Sequence, residues 1–263
     1  MKNPFRKALL DRTPTFGAWI QMGHPAIAEV LGRVGFDWIA VDLEHGVIDL
    51  ESTAGLFRAI EHYDAVPVAR LPFNDPIWIK RVLDAGAGGL IIPMVNSQAE
   101  ARAAMDQAKY PPLGRRGYGY SRANSHGLDF TPYIQEANKE IAIVMQIEHR
   151  DGIEALDGIL DVPGVDGAFI GPLDLSGSFG KTGQLDCPEM VQALSAFRSS
   201  CNSRGIAAGM HLVHPTPQNI GQALGDGYTM IALGVDNTLL AGAAQAALAS
   251  AHSAIAPAAS PAR

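Results

Sequence analysis

Cysteine is scarce in this sequence, with Cys187 and Cys201 the two cysteines among 263 residues. They do not form a CxxC pair, and the sequence offers too few partners for a structural zinc site. We therefore expect both to be free thiols, and no disulfide enters our account of the fold.

Long hydrophobic runs are also missing. A membrane-spanning helix needs about 18 or more consecutive apolar residues, and no segment approaches that length. The first residues, MKNPFRKALLDRTPTFG, lack the apolar region and cleavage site of a signal peptide. We expect a cytoplasmic protein that has no membrane partner.

Positive charge is in the minority. The 20 lysines and arginines are outnumbered by 27 aspartates and glutamates, which gives a net charge of −7 at pH 7. The sequence has no basic stripe for binding phosphate backbones, and this argues against nucleic acid as the main partner.

The sequence does contain a repeated alternation of strand-length apolar runs with helical segments. Eight strands are predicted, at residues 16–22, 38–45, 66–71, 89–95, 141–148, 165–171, 206–213 and 228–235. Their apolar runs are nearly continuous, as in strands covered on both faces. Eight βα units predict an α/β fold of the (β/α)8 barrel type. We expect one domain over residues 1–255 and a disordered tail over residues 256–263.

Two segments depart from this repeat. Residues 111–130, PPLGRRGYGYSRANSHGLDF, form a long glycine-rich, basic and aromatic loop, and loops of this length are usually functional or disordered. We interpret this one as functional. The last helix, NTLLAGAAQAALASAHSAI, has apolar residues on more than one face. We expect it to pack on a second subunit.

Polar residues follow several of the predicted strands. In a (β/α)8 barrel the active site lies at this rim, because the βα loops gather there. Taken singly, each of these residues has a structural explanation as a helix cap or an ion-pair partner. Their convergence on one rim predicts an active site. The residues are Asp42, Glu44, His45, Arg70, Gln146, Glu148 and Asp174.

The fifth predicted strand, IAIVMQIE, ends on a carboxylate, and a buried unpaired charge there would be costly. Glu148 and Asp174 form a pair of acids at the tips of neighbouring strands. Oxygen ligands select hard cations such as Mg²⁺ or Mn²⁺. A 2-oxo acid could chelate such a metal through its carboxylate and keto oxygen, and the metal would stabilise the enolate.

Arg70 and His45 complete the predicted chemistry. Arg70 would hold a permanently charged fork beside the developing enolate oxygen, and His45 can move a proton near neutral pH. The carboxylate that orients His45 is predicted to be Asp42 or Asp84. Because Asp84 lies late in the third helix, away from its own rim, it could contribute only from a neighbouring subunit.

The Gly171–Pro172 turn before Leu173 and Asp174 has two explanations. It could present backbone N–H groups to a substrate carboxylate, or it could be a tight turn and nothing else. A Schiff-base lysine is the competing way to form an enolate equivalent. The lysines lie at positions 2, 7, 80, 109, 139 and 181, and none is inside a predicted strand or at its carboxyl tip. A metal-dependent mechanism is therefore favoured.

Seven segments together resemble one known family: FDWIAVDLEHG, VPVARLP, AGAGGLIIPMV, YPPLGRRGYG, QIE, VPGVDGAFIGPLDLSGSFG and GYTMIALGVD. In order and spacing they are similar to the HpcH/HpaI family of class II 2-oxo acid aldolases, from about residue 15 to residue 240. The resemblance implies a (β/α)8 barrel and a divalent metal ion, namely Mg²⁺, Mn²⁺ or Co²⁺. It also implies reversible cleavage of 4-hydroxy-2-oxo acids to pyruvate, or a close 2-oxo acid, and an aldehyde. The assembly it implies is a homo-oligomer, often a hexamer built as a trimer of dimers that exchange their last helix.

By position, the resemblance assigns the metal to Glu148 and Asp174, the keto oxygen to Arg70, and the proton transfers to His45. Its substrate-binding positions correspond to Trp19 and Leu212 on the acceptor side, and to Gln146, Gly171, Pro172, Leu173, Asp174 and Arg116. Two residues depart from the family pattern: Leu173 replaces a small alanine, and His149 replaces threonine or serine. We expect both departures to affect which donor and acceptor substrates the protein prefers more than the type of reaction it catalyses.

Two alternatives remain open. A CoA-ester lyase of the citryl-CoA or malyl-CoA type uses similar chemistry, but the sequence shows no obvious CoA-binding segment. A non-catalytic barrel that binds a 2-oxo acid would not require His45. The acceptor aldehyde is not evident from the sequence, and semialdehydes, hydroxyaldehydes and sugar-derived aldehydes all remain possible.

Overall fold

The computed structural model describes residues 3–255, so the tail predicted at residues 256–263 lies outside the described residues. Eight parallel strands form a closed barrel in the order β1 to β8, with β8 paired to β1. The predicted (β/α)8 fold is confirmed. The strands are Thr15–Ile20, Trp38–Asp42, Val66–Arg70, Gly89–Ile92, Ala142–Ile147, Gly167–Ile170, Ala207–Leu212 and Met230–Val235.

The helices surround this barrel. In chain order α1 to α12 are Pro4–Asp11, Pro25–Val34, Leu50–Glu61, Pro76–Asp84, Gln98–Ala108, Phe130–Glu140, Arg150–Glu154, Leu156–Leu160, Pro172–Ser178, Pro188–Arg204, Pro217–Gly225 and Asp236–Ile255. Many begin as helix capping requires. Asp49 and Asp75, for example, accept backbone N–H groups at the starts of α3 and α4.

Alternation along the strands separates two hydrophobic clusters. The outer cluster lies between sheet and helices and includes Val41, Leu90 and Ile147. The interior cluster fills the barrel and includes Val68 and Val144. Both faces of every strand are therefore covered, which explains the continuous apolar runs in the sequence.

Helix α1 closes the amino-terminal end of the barrel, and no predicted element corresponds to it. Its Phe5 and Leu9 belong to the interior cluster, and the Phe5 ring lies 5.5 Å from the Trp38 ring. Arg6 fixes the helix with two hydrogen bonds to Asp166, of 3.0 and 2.8 Å. The rim at the opposite end of the barrel is left for the site.

The long loop of residues 111–130 contains a 3₁₀ helix, Arg122–Gly127. Arg122 bonds to Glu61 at the end of α3 and to the Ala85 carbonyl just after α4. Both helices end near the amino-terminal end of the barrel, since each begins at the opposite rim. Within one chain this loop is therefore anchored away from the strand tips, and its function remains a prediction.

Helix α12 packs against β1 and β8 at its start and is exposed along the rest of its length. Exposed apolar side chains include Leu240, Leu248 and Ile255. Within residues 3–255 no helix combines the length and apolarity needed to cross a membrane.

Candidate active site

The inward-facing residues change from apolar to polar near the carboxyl ends of the strands. Asp42 ends β2, Arg70 ends β3 and Gln146 is the penultimate residue of β5. By alternation they continue the faces of Ala40, Val68 and Val144, which lie in the interior cluster. The rim of the barrel therefore carries a polar layer on top of an apolar interior.

Arg70 and Asp42 form a buried bidentate pair. The Arg70 Nε donates to Asp42 Oδ1 at 2.9 Å, and its NH2 group donates to Oδ2 at 2.7 Å. Burial raises the pKa of Asp42, but the hydrogen bonds and charge of Arg70 outweigh burial, so the pKa lies below its usual value. The guanidinium also lies 4.6 Å from the centre of the Trp19 ring. These contacts hold Arg70 in one orientation.

Glu44 and His45 lie in the turn just after β2, which ends at Asp42 and not at residue 45 as predicted. The physical reason is local, because Asp42 Oδ1 accepts the backbone N–H groups of both residues, at 3.1 and 3.3 Å, and turns the chain. The His45 side chain is 60% exposed, whereas that of Glu44 is 18% exposed. The imidazole of His45 is thus accessible at the mouth of the barrel.

Glu44 is the carboxylate beside His45. Its Oε2 lies 3.8 Å from His45 Nε2 and 3.3 Å from Arg70 Nε. Burial, together with the nearby charges of Glu148, Asp42 and Asp174, raises the pKa of Glu44 to about 7 against the attraction of Arg70. The sequence placed Glu44 at the rim, but it gave no signal that this residue would lie against the imidazole.

Within residues 3–255 neither of the two carboxylates predicted to orient His45 contacts its imidazole. Both oxygens of Asp42 are taken by Arg70, and only the backbone N–H of His45 reaches this carboxylate. Asp84, at the end of α4, accepts from Arg116 at 2.8 Å. A contribution of Asp84 from a neighbouring subunit remains a prediction.

Glu148 is the carboxylate that follows β5, and it is 3% exposed. Its Oε1 accepts the Met94 N–H at 2.8 Å, and its Oε2 accepts from Gln146 Nε2 at 2.5 Å. Met94 has a φ of 53°, an uncommon backbone conformation for a side-chain-bearing residue. Burial raises the pKa of Glu148, and Asp174 raises it further. The group is therefore fixed in place, and the attraction of Arg70 only partly offsets the cost of burying its charge.

Asp174 lies in the first turn of α9, whose N-cap is Gly171 and whose first residue is Pro172. The backbone at Gly171, just after β6, packs closely against Glu148. A Cβ added to Gly171 would lie only 2.7 Å from Glu148 Oε2. Leu173 is 58% exposed beside these groups. The backbone N–H groups of Leu173 and Asp174 are in the helix turn that lacks intrahelical partners.

The donor set fits a hard divalent cation. Glu148 and Asp174 supply oxygen atoms, and each acts electrostatically on the rim strongly enough to raise the pKa of Glu44. Gln146 Oε1 is buried and accepts no hydrogen bond from the described residues. Within residues 3–255 no group of three or more His, Cys, Asp and Glu side chains is arranged for a metal. The assignment of Glu148 and Asp174 as the pair of metal ligands therefore remains a prediction.

Two predicted substrate-binding residues lie apart from this layer. Leu212, on β7, packs with the outer cluster between sheet and helices. The Arg116 side chain is fully buried, with its guanidinium 4.6 Å from the Tyr110 ring and 5.8 Å from the Tyr133 ring. Trp19, in contrast, lies in the interior cluster as expected of a residue facing the site.

His211, and not Leu212, faces the barrel interior. Ala207 of β7 lies in the interior cluster, and every second residue after it points the same way, which includes His211. Its ring centre lies 5.9 Å from that of Trp19. Burial lowers the pKa of His211 to about 4, and the positive charge of Arg70 lowers it too. The sequence did not indicate His211, because the predicted strand began one residue early, at position 206, and alternation from there leads to the face of Leu212.

A parallel barrel that gathers a buried Arg–Asp pair, further carboxylates and histidines at the carboxyl ends of its strands is built as an enzyme. Residues 15–243 match the HpcH/HpaI aldolase/citrate lyase family. The chain therefore belongs to this family and is a lyase of its aldolase type. Members of the family are generally dependent on divalent metal ions.

Individual relatives agree with this assignment. The chain is 38% identical to the 4-hydroxy-2-oxo-heptane-1,7-dioate aldolase of Escherichia coli over 94% of each protein. A family protein from Burkholderia cenocepacia has a TM-score of 0.91 and 32% identity, covering 95% of this chain and 100% of that one. An HpcH/HpaI aldolase from Desulfitobacterium hafniense has a TM-score of 0.85 and 28% identity, with 100% of both chains covered.

Proposed function

We propose that this protein is a metal-dependent aldolase that reversibly cleaves 4-hydroxy-2-oxo acids to pyruvate, or a close 2-oxo acid, and an aldehyde. One observation carries the proposal. Glu148 is buried with both oxygens held, and it lies among Asp174, Glu44 and Arg70 at the barrel rim. This arrangement suits a cation and a small anionic substrate together.

Glu148 and Asp174 would hold the cation, which is Mg²⁺, Mn²⁺ or Co²⁺. When bound, it supplies positive charge that polarises the keto oxygen of the substrate. The backbone N–H groups of Leu173 and Asp174, after the Gly171–Pro172 turn, would bind the substrate carboxylate.

Arg70 would bind the keto oxygen and stabilise the negative charge that grows there as the C3–C4 bond breaks. Its orientation is already set by Asp42 and Trp19, so little reorganisation is needed. Burial lowers the pKa of Arg70, but Asp42 and the other carboxylates raise it above its usual value. The side chain therefore remains charged throughout the reaction.

In the cleavage direction His45 would take the proton from the C4 hydroxyl group as the C3–C4 bond breaks, which releases the aldehyde and leaves an enolate, and a proton added at C3 then gives pyruvate. The synthesis direction reverses these transfers. Glu44 Oε2 lies 3.8 Å from His45 Nε2, which is beyond hydrogen-bond distance but close enough to attract the positive charge that the imidazole gains with the proton. His45→Ala should reduce turnover far more than affinity for pyruvate. Equal losses of both would indicate that the histidine only binds substrate.

Release of pyruvate from a 4-hydroxy-2-oxo acid tests the proposal. Treatment with a chelator should abolish the release, and added Mn²⁺ or Mg²⁺ should restore it. Unchanged activity of the metal-stripped protein would reject the mechanism.

We further propose a homo-oligomer, a hexamer made of three dimers, in which α12 packs on a neighbouring subunit. The exposed apolar side chains of this helix, among them Leu240 and Leu248, support the proposal. Light scattering after gel filtration should give a mass near six chains, and Leu240→Arg should lower it. A monomeric wild type would contradict the proposal.

A further inference from the structure

Two buried nitrogen atoms in the barrel interior have no hydrogen-bond partner within residues 3–255. They are Nε1 of Trp19 and Nε2 of His211. A buried polar atom without a partner is rare in a native protein and costs free energy, so each one requires an explanation. Both belong to side chains that face the candidate active site.

The two rings lie together on one side of the rim. Their centres are 5.9 Å apart, and the Trp19 ring also contacts the Arg70 guanidinium and the Phe169 ring. Since Arg70 is the proposed partner of the keto oxygen, Trp19 and His211 lie beside the reacting end of the substrate. Neither nitrogen is used by the proposed metal site or by the proton transfers.

The chemistry of the two nitrogen atoms limits what can bind them. The indole N–H is a donor only, whereas a neutral imidazole nitrogen accepts or donates according to its tautomer. His211 is neutral at pH 7, since burial and Arg70 lower its pKa to about 4. A hydroxyl group satisfies both nitrogens with either tautomer, because it donates one hydrogen and accepts through its oxygen. A carboxylate can only accept hydrogen bonds, and it would bring a negative charge into a buried site.

We propose that Trp19 and His211 together bind a hydroxyl group on the aldehyde portion of the substrate, so that the enzyme selects hydroxyaldehydes. This inference rests on the proposed aldolase function and specifies its acceptor class. It sets the chain apart from a relative named for a dioate substrate, in which the aldehyde would end in a second carboxylate.

The test compares aldehydes that differ by one hydroxyl group. The rate constant kcat/KM is measured for addition of pyruvate, with Mn²⁺ present, to 2-hydroxypropanal, 3-hydroxypropanal, propanal and succinic semialdehyde. Wild type should favour at least one hydroxypropanal over propanal by about tenfold or more, because a site built for a hydroxyl group rejects analogues that lack it. The semialdehyde should react less well than that hydroxypropanal.

Three variants locate this preference. His211→Leu and Trp19→Phe should each bring the ratio of hydroxypropanal to propanal close to one, since each removes one nitrogen and keeps an apolar group of similar size. His214→Leu makes the same change at an exposed position just after β7 and should keep the wild-type ratio. Two variants at different positions are used so that misfolding of one protein cannot by itself account for the result.

The outcomes separate this inference from the proposed function. Exchange of the pyruvate methyl protons with solvent deuterium, followed by NMR, reports enolate formation without any aldehyde. Exchange by wild type with no preference for hydroxypropanal, or a preference kept by both His211→Leu and Trp19→Phe, would overturn the inference and leave the aldolase proposal standing. No exchange, and no addition to any aldehyde, would overturn both.

Discussion

Gly171→Ala should weaken metal binding without unfolding the protein. A Cβ at this position would lie 2.7 Å from both Cβ and Oε2 of Glu148, and ordinary contact begins at 3.4 Å. The Glu148 side chain must therefore move by about 0.7 Å. It cannot do so freely, because Met94 and Gln146 hold its two oxygens. The backbone of Gly171, with φ −106°, accepts alanine without strain, so the added methyl group is the whole perturbation.

The expected magnitude follows from these contacts. Disturbing the orientation of a metal ligand typically lowers metal affinity by about 10–100-fold, while one extra methyl group in a packed site costs about 1–3 kcal/mol of stability. Titration calorimetry with Mn²⁺ measures the first effect, and urea unfolding of the metal-free protein measures the second. Gly177→Ala is the matched control on the same helix, because the nearest atom to its Cβ, Thr182 Oγ1, is 3.6 Å away. A folded Gly171→Ala protein that binds Mn²⁺ as tightly as wild type would refute the reasoning.

Two other predictions test the charged groups. Arg70→Lys loses the two hydrogen bonds to Asp42 and the stacking on Trp19, so kcat should fall by about 100-fold. A change of less than twofold in steady-state kinetics would argue against a fixed guanidinium at the keto oxygen. Burial lowers the pKa of Lys109 from 10.5 to about 8, so the charged lysine destabilises the folded protein at pH 7. This penalty disappears as the pH rises from 8 to 10.5, because the folded protein loses the proton over this range before the unfolded protein does. Lys109→Met should therefore be more stable than wild type at pH 7, and this advantage in the free energy of unfolding should fall by about 3 kcal/mol between pH 8 and 10.5. A difference in urea unfolding that does not change with pH would show that the lysine is not desolvated.

The barrel could be predicted from sequence because strands covered on both faces leave long apolar runs, such as residues 141–148. Helix α1 left no comparable signal. It is eight residues long, and only Phe5 and Leu9 of its apolar face enter the interior. Short helices of this kind gain their stability from packing, which a local pattern does not reveal.

The positions of Arg70 and Glu148 at the rim could be predicted from sequence, because each stands at the end of an apolar strand. The site was not predictable where a contact depends on the exact register of a strand. An error of one residue exchanges the two faces of β7, and this separates His211 in the interior from Leu212 in the outer cluster. The position of Glu44 between Arg70 and His45 depends on the turn made by Asp42, which becomes evident only in three dimensions.

In the proposed mechanism Glu148 and Asp174 together hold one divalent cation. Titration calorimetry of the metal-stripped protein with Mn²⁺ tests it most directly. Wild type should bind one ion per chain at this site, Glu148→Gln and Asp174→Asn should each lower the affinity by about 100-fold or more, and the exposed Asp186→Asn should match wild type. Wild-type affinity in both Glu148→Gln and Asp174→Asn would contradict the account.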